Sequence, residues 1–186
     1  MATVIDFGPH AMASLRARVA AVEEVNRDLL AFARGHSGAV SAIHGAVLEA
    51  MGAEDLEHLI HIVTQVWPDT LGLDAVAIGL VSGGSALRAD AGGHHAFDPD
   101  LLAHVVTRID PVILRNVGRG HPLFGPAADL IAAEALVRLE DENGQAIGVL
   151  LLGQRRAQGF ENRAGSELLI FLGASISRMI GRWLTA

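Results

Sequence analysis

The sequence predicts an α+β domain, an antiparallel sheet flanked by helices, with a separate amphipathic helix in front of it. Three observations carry this. Apolar residues recur at alternating spacings of three and four between Met12 and Ala33. Short apolar runs bounded by turn residues, one pair joined by Asn143-Gly144, fill positions 75–154. A long stretch of helical period closes the chain. The 186 residues suit one domain of roughly 100–200 residues with an appended helix. The boundary is drawn at a dimerisation helix over 1–34 and a body over 35–186.

In the first helix Met12, Val19, Asn26 and Ala33 occupy one heptad core position and Leu15, Val22 and Leu29 the other. A lone Asn in such a seam costs stability but fixes register when two copies pair. Arg18 and Glu23 are spaced to reach each other across a parallel dimer. The competing reading is an amphipathic helix packed on its own domain, with Asn26 at a wet edge. After Gly35–Gly38, a second helix has Val40, Ile43, Val47, Leu48 and Met51 on its apolar positions and Gly52 as its stop. A third begins near Glu54, buries Leu56, Leu59, Ile60, Val63, Val66 and Trp67, and is expected to end at Pro68.

Ala75–Val81 reads as a buried strand, 82–85 as a turn, and Ala86–Ala91 as a weaker strand. Asp98 is a good N-cap with Pro99 in the first turn, so a short helix runs to about Thr107. Val112–Asn116 is a third strand, Gly118–Pro126 a loop, and Ala132–Glu140 a fourth strand. Asn143-Gly144 is a two-residue hairpin signal, and Ala146–Gln154 is a continuous apolar strand central to the sheet. The last helix spans Arg163–Trp183, with Leu168, Leu169, Leu172, Ile176, Met179, Ile180 and Trp183 inward.

Composition excludes chemistry. No cysteine is present, so there is no disulfide, thiolate nucleophile, cysteine zinc site or iron–sulfur cluster. All 14 basic residues are arginine, so neither a Schiff-base lysine nor a phosphate-binding loop of the Gly-Lys-Ser/Thr kind exists. Biased codon usage in a chain rich in Ala, Gly, Arg and Val accounts for the missing lysine without any function. Net charge is −7, and residues 35–110 hold ten acids against two arginines. A chain without a basic stripe is a poor nucleic-acid binder. No signal peptide is expected at the N-terminus, and the longest apolar runs fall far short of the ~20 residues that span a bilayer. No membrane partner and a cytoplasmic location are therefore expected.

The segment 144–180, with its Ile147–Leu150 strand, Phe160 loop and terminal helix, is similar to the closing half of GAF domains. The opening resembles a narrower bacterial group, the GAF-like domain-of-unknown-function family 484. The residues that carry this are Val4–Phe7, Leu15–Val19, Asn26-Arg27, Ile43-His44, Ala46–Leu48, Leu71–Asp74 and Leu123–Gly125. The resemblance implies a GAF-like sheet of five or six antiparallel strands and homodimerisation through the N- and C-terminal helices. It also implies a small-molecule pocket under the short helix and the Gly118–Pro126 loop. Cyclic-nucleotide-binding GAF domains use an Asn-Lys motif, and bilin-linking or sulfoxide-reducing ones use Cys. This chain has neither Lys nor Cys, so no cofactor is expected, and an unknown small ligand is left open.

The Gly118–Pro126 loop is the leading site candidate. Arg119 offers a donor fork, His121 a titratable donor and Phe124 a stacking face. Arg115, His104 and His95 are grouped with them as candidate pocket residues. The alternative is a structured connection whose Leu123 and Phe124 plug the core. His58 and His61 have a chelating spacing on a helix but are expected to face solvent, and His94-His95 are expected in a loop. His104, on the short helix expected to cover the pocket, and His44, among apolar residues of the second helix, each have a second reading as a hydrogen-bonded structural histidine. The Asp141-Glu142 pair reads as turn acids, and no catalytic motif is found. The sequence thus points to a non-catalytic, homodimeric regulatory or sensory module in signalling. A pure interaction scaffold with a filled pocket and an unidentified protein partner is the alternative, and a metal-dependent hydrolase is a third reading.

Overall fold

Alternation of buried side chains on successive strand residues dictates a sheet covered on both faces. The computed structural model describes residues 18, 22–24, 37–157 and 163–184. The chain divides into units 1–38 and 39–186. In the first, residues 18 and 22–24 are helical and exposed. The seam positions Met12, Leu15, Val19, Asn26 and Leu29 lie outside the described residues.

Among the described residues, helix α1 covers residues 37–51, all but its first two in the second unit. Asp55 caps α2 (Leu56–His61), its Oδ1 accepting from the His58 N–H at 2.7 Å. A π-helical turn, Ile62–Val66, then leads into α3 (Trp67–Leu71). The expectation that Pro68 ends the third helix is corrected here. The π turn resets the hydrogen-bond ladder, so Pro68 falls in the first turn of a new segment, where its missing N–H costs nothing. Gly72 at φ 65° is the actual stop. Trp67 is fully buried and its indole N–H donates to the Ala46 carbonyl at 3.0 Å, fastening α3 to α1.

Strands β1 (Ala75–Ser82), β2 (Ser85–Asp90) and β3 (Gly93–Phe97) form a meander. Helix α4 (Pro99–Val106) follows, capped by Asp98, whose Oδ1 accepts from the N–H groups of Asp100 and Leu101. Strand β4 (Val112–Asn116) leads through a 3-10 segment, Pro122–Leu130, into β5 (Ala133–Glu140) and β6 (Ala146–Gln154). The Asp141 carboxylate accepts from Asn143 and Gln145 and shapes the hairpin at Gly144 (φ 76°). Helix α5 (Arg163–Leu184) closes the chain. The strand order is β3-β2-β1-β6-β5-β4, all antiparallel, which gives six strands and the expected α+β class. The additional strand is β3, because His94 and His95 lie in a strand and not in a loop. Its Gly-His-His-Ala-Phe sequence has little strand character, and pairing with β2 decides its state.

Two cores result. On one face Val76, Ile78, Leu150 and Leu152 meet Ile43, Leu59, Trp67, Leu172 and Ile176 from α1, α2, α3 and α5. On the other, Ala77, Leu136, Val149 and Leu151 meet Leu102, Val106, Leu123, Phe124 and Ile131. Helix α5 runs close over β5: a Cβ on Gly173 would lie 2.5 Å from Val137 Cγ1, and Ser177 Oγ accepts from the Glu140 N–H at 3.1 Å.

Candidate functional site

The second face is where the sequence places its candidate residues. Over its centre, Leu102 of α4 presses on β1 at Gly79, where a Cβ would lie only 2.9 Å from Leu102 Cδ1. At the end of the sheet the register aligns Ala75, Gly153, Glu134 and Arg115 across four strands. There the 3-10 segment crosses as a strap. A Cβ on Gly153 would lie 2.7 Å from Ile131 Cδ1 and 3.0 Å from the Phe124 ring. Phe124 is thus turned inward, 1% exposed, and offers no stacking face. The plugging alternative describes its side chain. Glycine at positions 79 and 153 lets the cover settle directly on the sheet backbone.

Each side of this plug holds a buried carboxylate. Glu134 is fully buried. Its Oε1 accepts from Arg115 Nε at 2.7 Å and lies 2.6 Å from Arg115 Nη2, while its Oε2 accepts from the His121 backbone N–H at 2.7 Å. These charge-assisted bonds satisfy a carboxylate that would be costly to bury alone. The His121 ring is turned to its own segment, where Nδ1 accepts from the Leu123 N–H at 3.2 Å and caps the strap. Burial holds the His121 imidazole below the usual histidine range; the Glu134 carboxylate pulls the other way and the Arg115 guanidinium adds to the lowering.

On the other side, Asp90 is 5% exposed. Its Oδ1 accepts from the Gly92 N–H at 2.7 Å, and its Oδ2 is 3.1 Å from Arg88 Nη2, an ion pair without hydrogen-bond alignment. His95 Nε2 stands 3.8 Å from Oδ1. The strap covers this pair at Gly125 (φ 59°, ψ −133°), a conformation essentially confined to glycine. A Cβ there would lie 2.5 Å from Asp90 Oδ2.

The candidates therefore separate. Arg115 and His121 are joined through Glu134, and His95 belongs with Asp90 and Arg88. Arg119 pairs with Asp129 at 2.6 Å on the exposed surface, and His104 is exposed on α4. His44 is also exposed, its ring edge-on to Phe171 at 6.4 Å. His58 and His61 face solvent, with His58 Nδ1 accepting from the Glu54 N–H at 3.4 Å. Among the described residues, no group of three His, Asp or Glu side chains is placed to hold a metal.

Sequence reasoning missed Glu134, Arg88 and Asp90, the residues that organise both clusters. A signal existed. Glu134 shares strand parity with the buried Leu136 and sits between Ala133 and Ala135 in the apolar first half of β5, and Arg88 and Asp90 are two apart on β2. A charge at an inward strand position implies a buried partner.

A family model described as "Protein of unknown function, DUF484" matches residues 1–185. No curated protein matches the sequence. Solved structures resemble the fold. The GAF domain of an Acinetobacter phosphoenolpyruvate-protein phosphotransferase is 18% identical, with a TM-score of 0.58 over 77% of this chain and 92% of that one. The A. aeolicus nlh2 GAF domain in an inactive state is 13% identical, with a TM-score of 0.57 over 77% and 95%. The GAF domain of a phosphoenolpyruvate-protein phosphotransferase (ptsP) from Coxiella burnetii is 14% identical, with a TM-score of 0.57 over 79% and 95%.

Proposed function

We propose, from the premise that this chain belongs to the DUF484 family and has a GAF-like fold, that it is a non-catalytic regulatory module acting through contacts of its surface. One observation carries the reading. The sheet face under α4 and the strap is filled by the chain's own Leu102, Phe124 and Ile131, seated on Gly79 and Gly153. This favours an interaction scaffold with a filled pocket over a sensor whose pocket stands open. The two buried carboxylates near that face are engaged by arginines and backbone N–H groups, which supports positioning roles for them.

The module works as a homodimer. The heptad pattern of 12–33 supports this, as do exposed apolar side chains on the body: Leu48 and Met51 on α1, Ile170 and Phe171 on α5. Its place of action in this reading is the cytoplasm; among the described residues no helix is long and apolar enough to cross a membrane. Native mass spectrometry of protein purified from its own cells tests the dimer and the filled face together. The expected result is twice the chain mass with no retained small molecule. A monomer removes the dimer, and a retained haem or nucleotide overturns the filled-face reading.

A second reading has one observation behind it. Arg115 is about half exposed while its Nε and Nη2 serve Glu134, so the outer edge of its guanidinium supports a small anionic ligand at this rim. Calorimetric titration with phosphate and short carboxylates checks it. An absence of saturable heat removes that reading.

A further inference from the structure

His121 holds the start of the strap in two ways at once. Its backbone N–H donates to the buried Glu134 carboxylate, and its ring Nδ1 accepts the Leu123 N–H. The next turn depends on it too, because the Phe124 N–H donates to the His121 carbonyl at 3.0 Å. Phe124 is in turn the side chain seated on Gly153. An Nδ1 that accepts must be unprotonated. Adding a proton there turns the acceptor into a donor facing another donor, and the cap is lost.

The geometry points to His121 as an acid-released latch: protonation of its ring frees the N-terminal turn of the strap and unseats Phe124 from the sheet. The charged groups that face the ring are Glu134 from β5 and Arg115 from β4, and they oppose each other. Arg119 and Asp129, on or beside the strap, neutralise each other at the surface. Burial and Arg115 outweigh Glu134 and favour the neutral ring that the cap requires. The sign follows. A histidine depressed below its ordinary value of about 6.5 contributes stability in full above that pH, and this is lost as pH falls through the lowered folded value. The latch is therefore closed at neutral pH and opens in mild acid. This goes beyond the regulatory reading and does not depend on dimerisation.

Amide hydrogen exchange of the whole chain, corrected for intrinsic rates, at about pH 7.5 and about pH 5 tests it. Leu123 and Phe124 are expected to lose protection by about tenfold for each unit of depression. The β6 amides Val149 to Leu151 keep theirs. In His121→Asn the side-chain oxygen can cap without titrating, so protection at Leu123 and Phe124 should stay within about twofold across the same range. Nitrogen NMR of the native imidazole should show Nδ1 unprotonated at neutral pH and titration below the ordinary value. Any of four results overturns the latch: pH-independent strap protection, an equal loss in His121→Asn, a loss spreading equally to β6, or a ring titrating at or above the ordinary value.

Discussion

Replacing Phe124 by Ala tests whether the strap is core or cover. The ring is 1% exposed and lies where a Gly153 Cβ would be 3.0 Å from two of its carbons, so truncation leaves a cavity walled by Ile131 and the β6 backbone. Phe→Ala at such a site costs about 3–5 kcal/mol. Against a typical total of about 5–15 kcal/mol this is about a fifth or more of the stability. At about 2–4 °C per kcal/mol for a chain of this length, Tm should fall by about 6–20 °C. Gly153→Ala alone should destabilise by about 1–3 kcal/mol through overpacking, its new methyl pressing on Phe124 and Ile131. In Phe124→Ala much of that methyl's cost disappears, so the double mutant should beat the sum of the singles by about 1 kcal/mol or more. Urea unfolding of the four proteins measures the cycle. A Phe124→Ala cost below about 1 kcal/mol, or additivity within about 0.5 kcal/mol, would refute the packed-plug reasoning.

Other perturbations probe the rest of the assembly. Glu134→Gln keeps shape but removes the charge held by Arg115; because Arg115 is half exposed, the usual cost of breaking a buried pair shrinks to about 1–2 kcal/mol, read by chemical denaturation. Gly125→Ala forces a side chain into a glycine-only conformation 2.5 Å from Asp90 Oδ2, and a loss of about 1–3 kcal/mol with faster strap exchange is expected. Gly173→Ala should cost about 1–3 kcal/mol by pushing α5 off Val137, measured by thermal unfolding. Asn26→Leu should change the mass seen by light scattering if residues 12–33 pair as a seam.

The elements legible in the sequence were those whose signals are local. The Asp98-Pro99 cap, the Asn143-Gly144 hairpin and the apolar run Ala146–Gln154 depend on neighbouring residues alone, and each stands within a residue or two of its reading. Strand β3 was not legible because its pairing with β2 supplies what its composition lacks. Pro68 misled because a π turn ending two residues earlier changed which backbone groups needed partners. At the site, Arg115 and His121 were visible as polar residues near a glycine-rich loop, but the carboxylate that joins them lies in β5, 13 residues from His121 along the chain. Such a pairing is fixed by sheet register, and register is decided by the whole sheet.

Strand β6 has a consequence for how the molecule can transmit force. Leu150 and Leu152 belong to the helical core, while Val149 and Leu151 belong to the core under the strap. Adjacent residues of one strand are thus walls of two separate compartments, and the partition between them is a single peptide layer. Interiors packed to crystal-like density do not absorb displacement; they pass it on. A displacement of β6 by the strap would therefore be felt in the helical core as well as in the core under the strap. Both cores of the domain thus share one strand as a common wall.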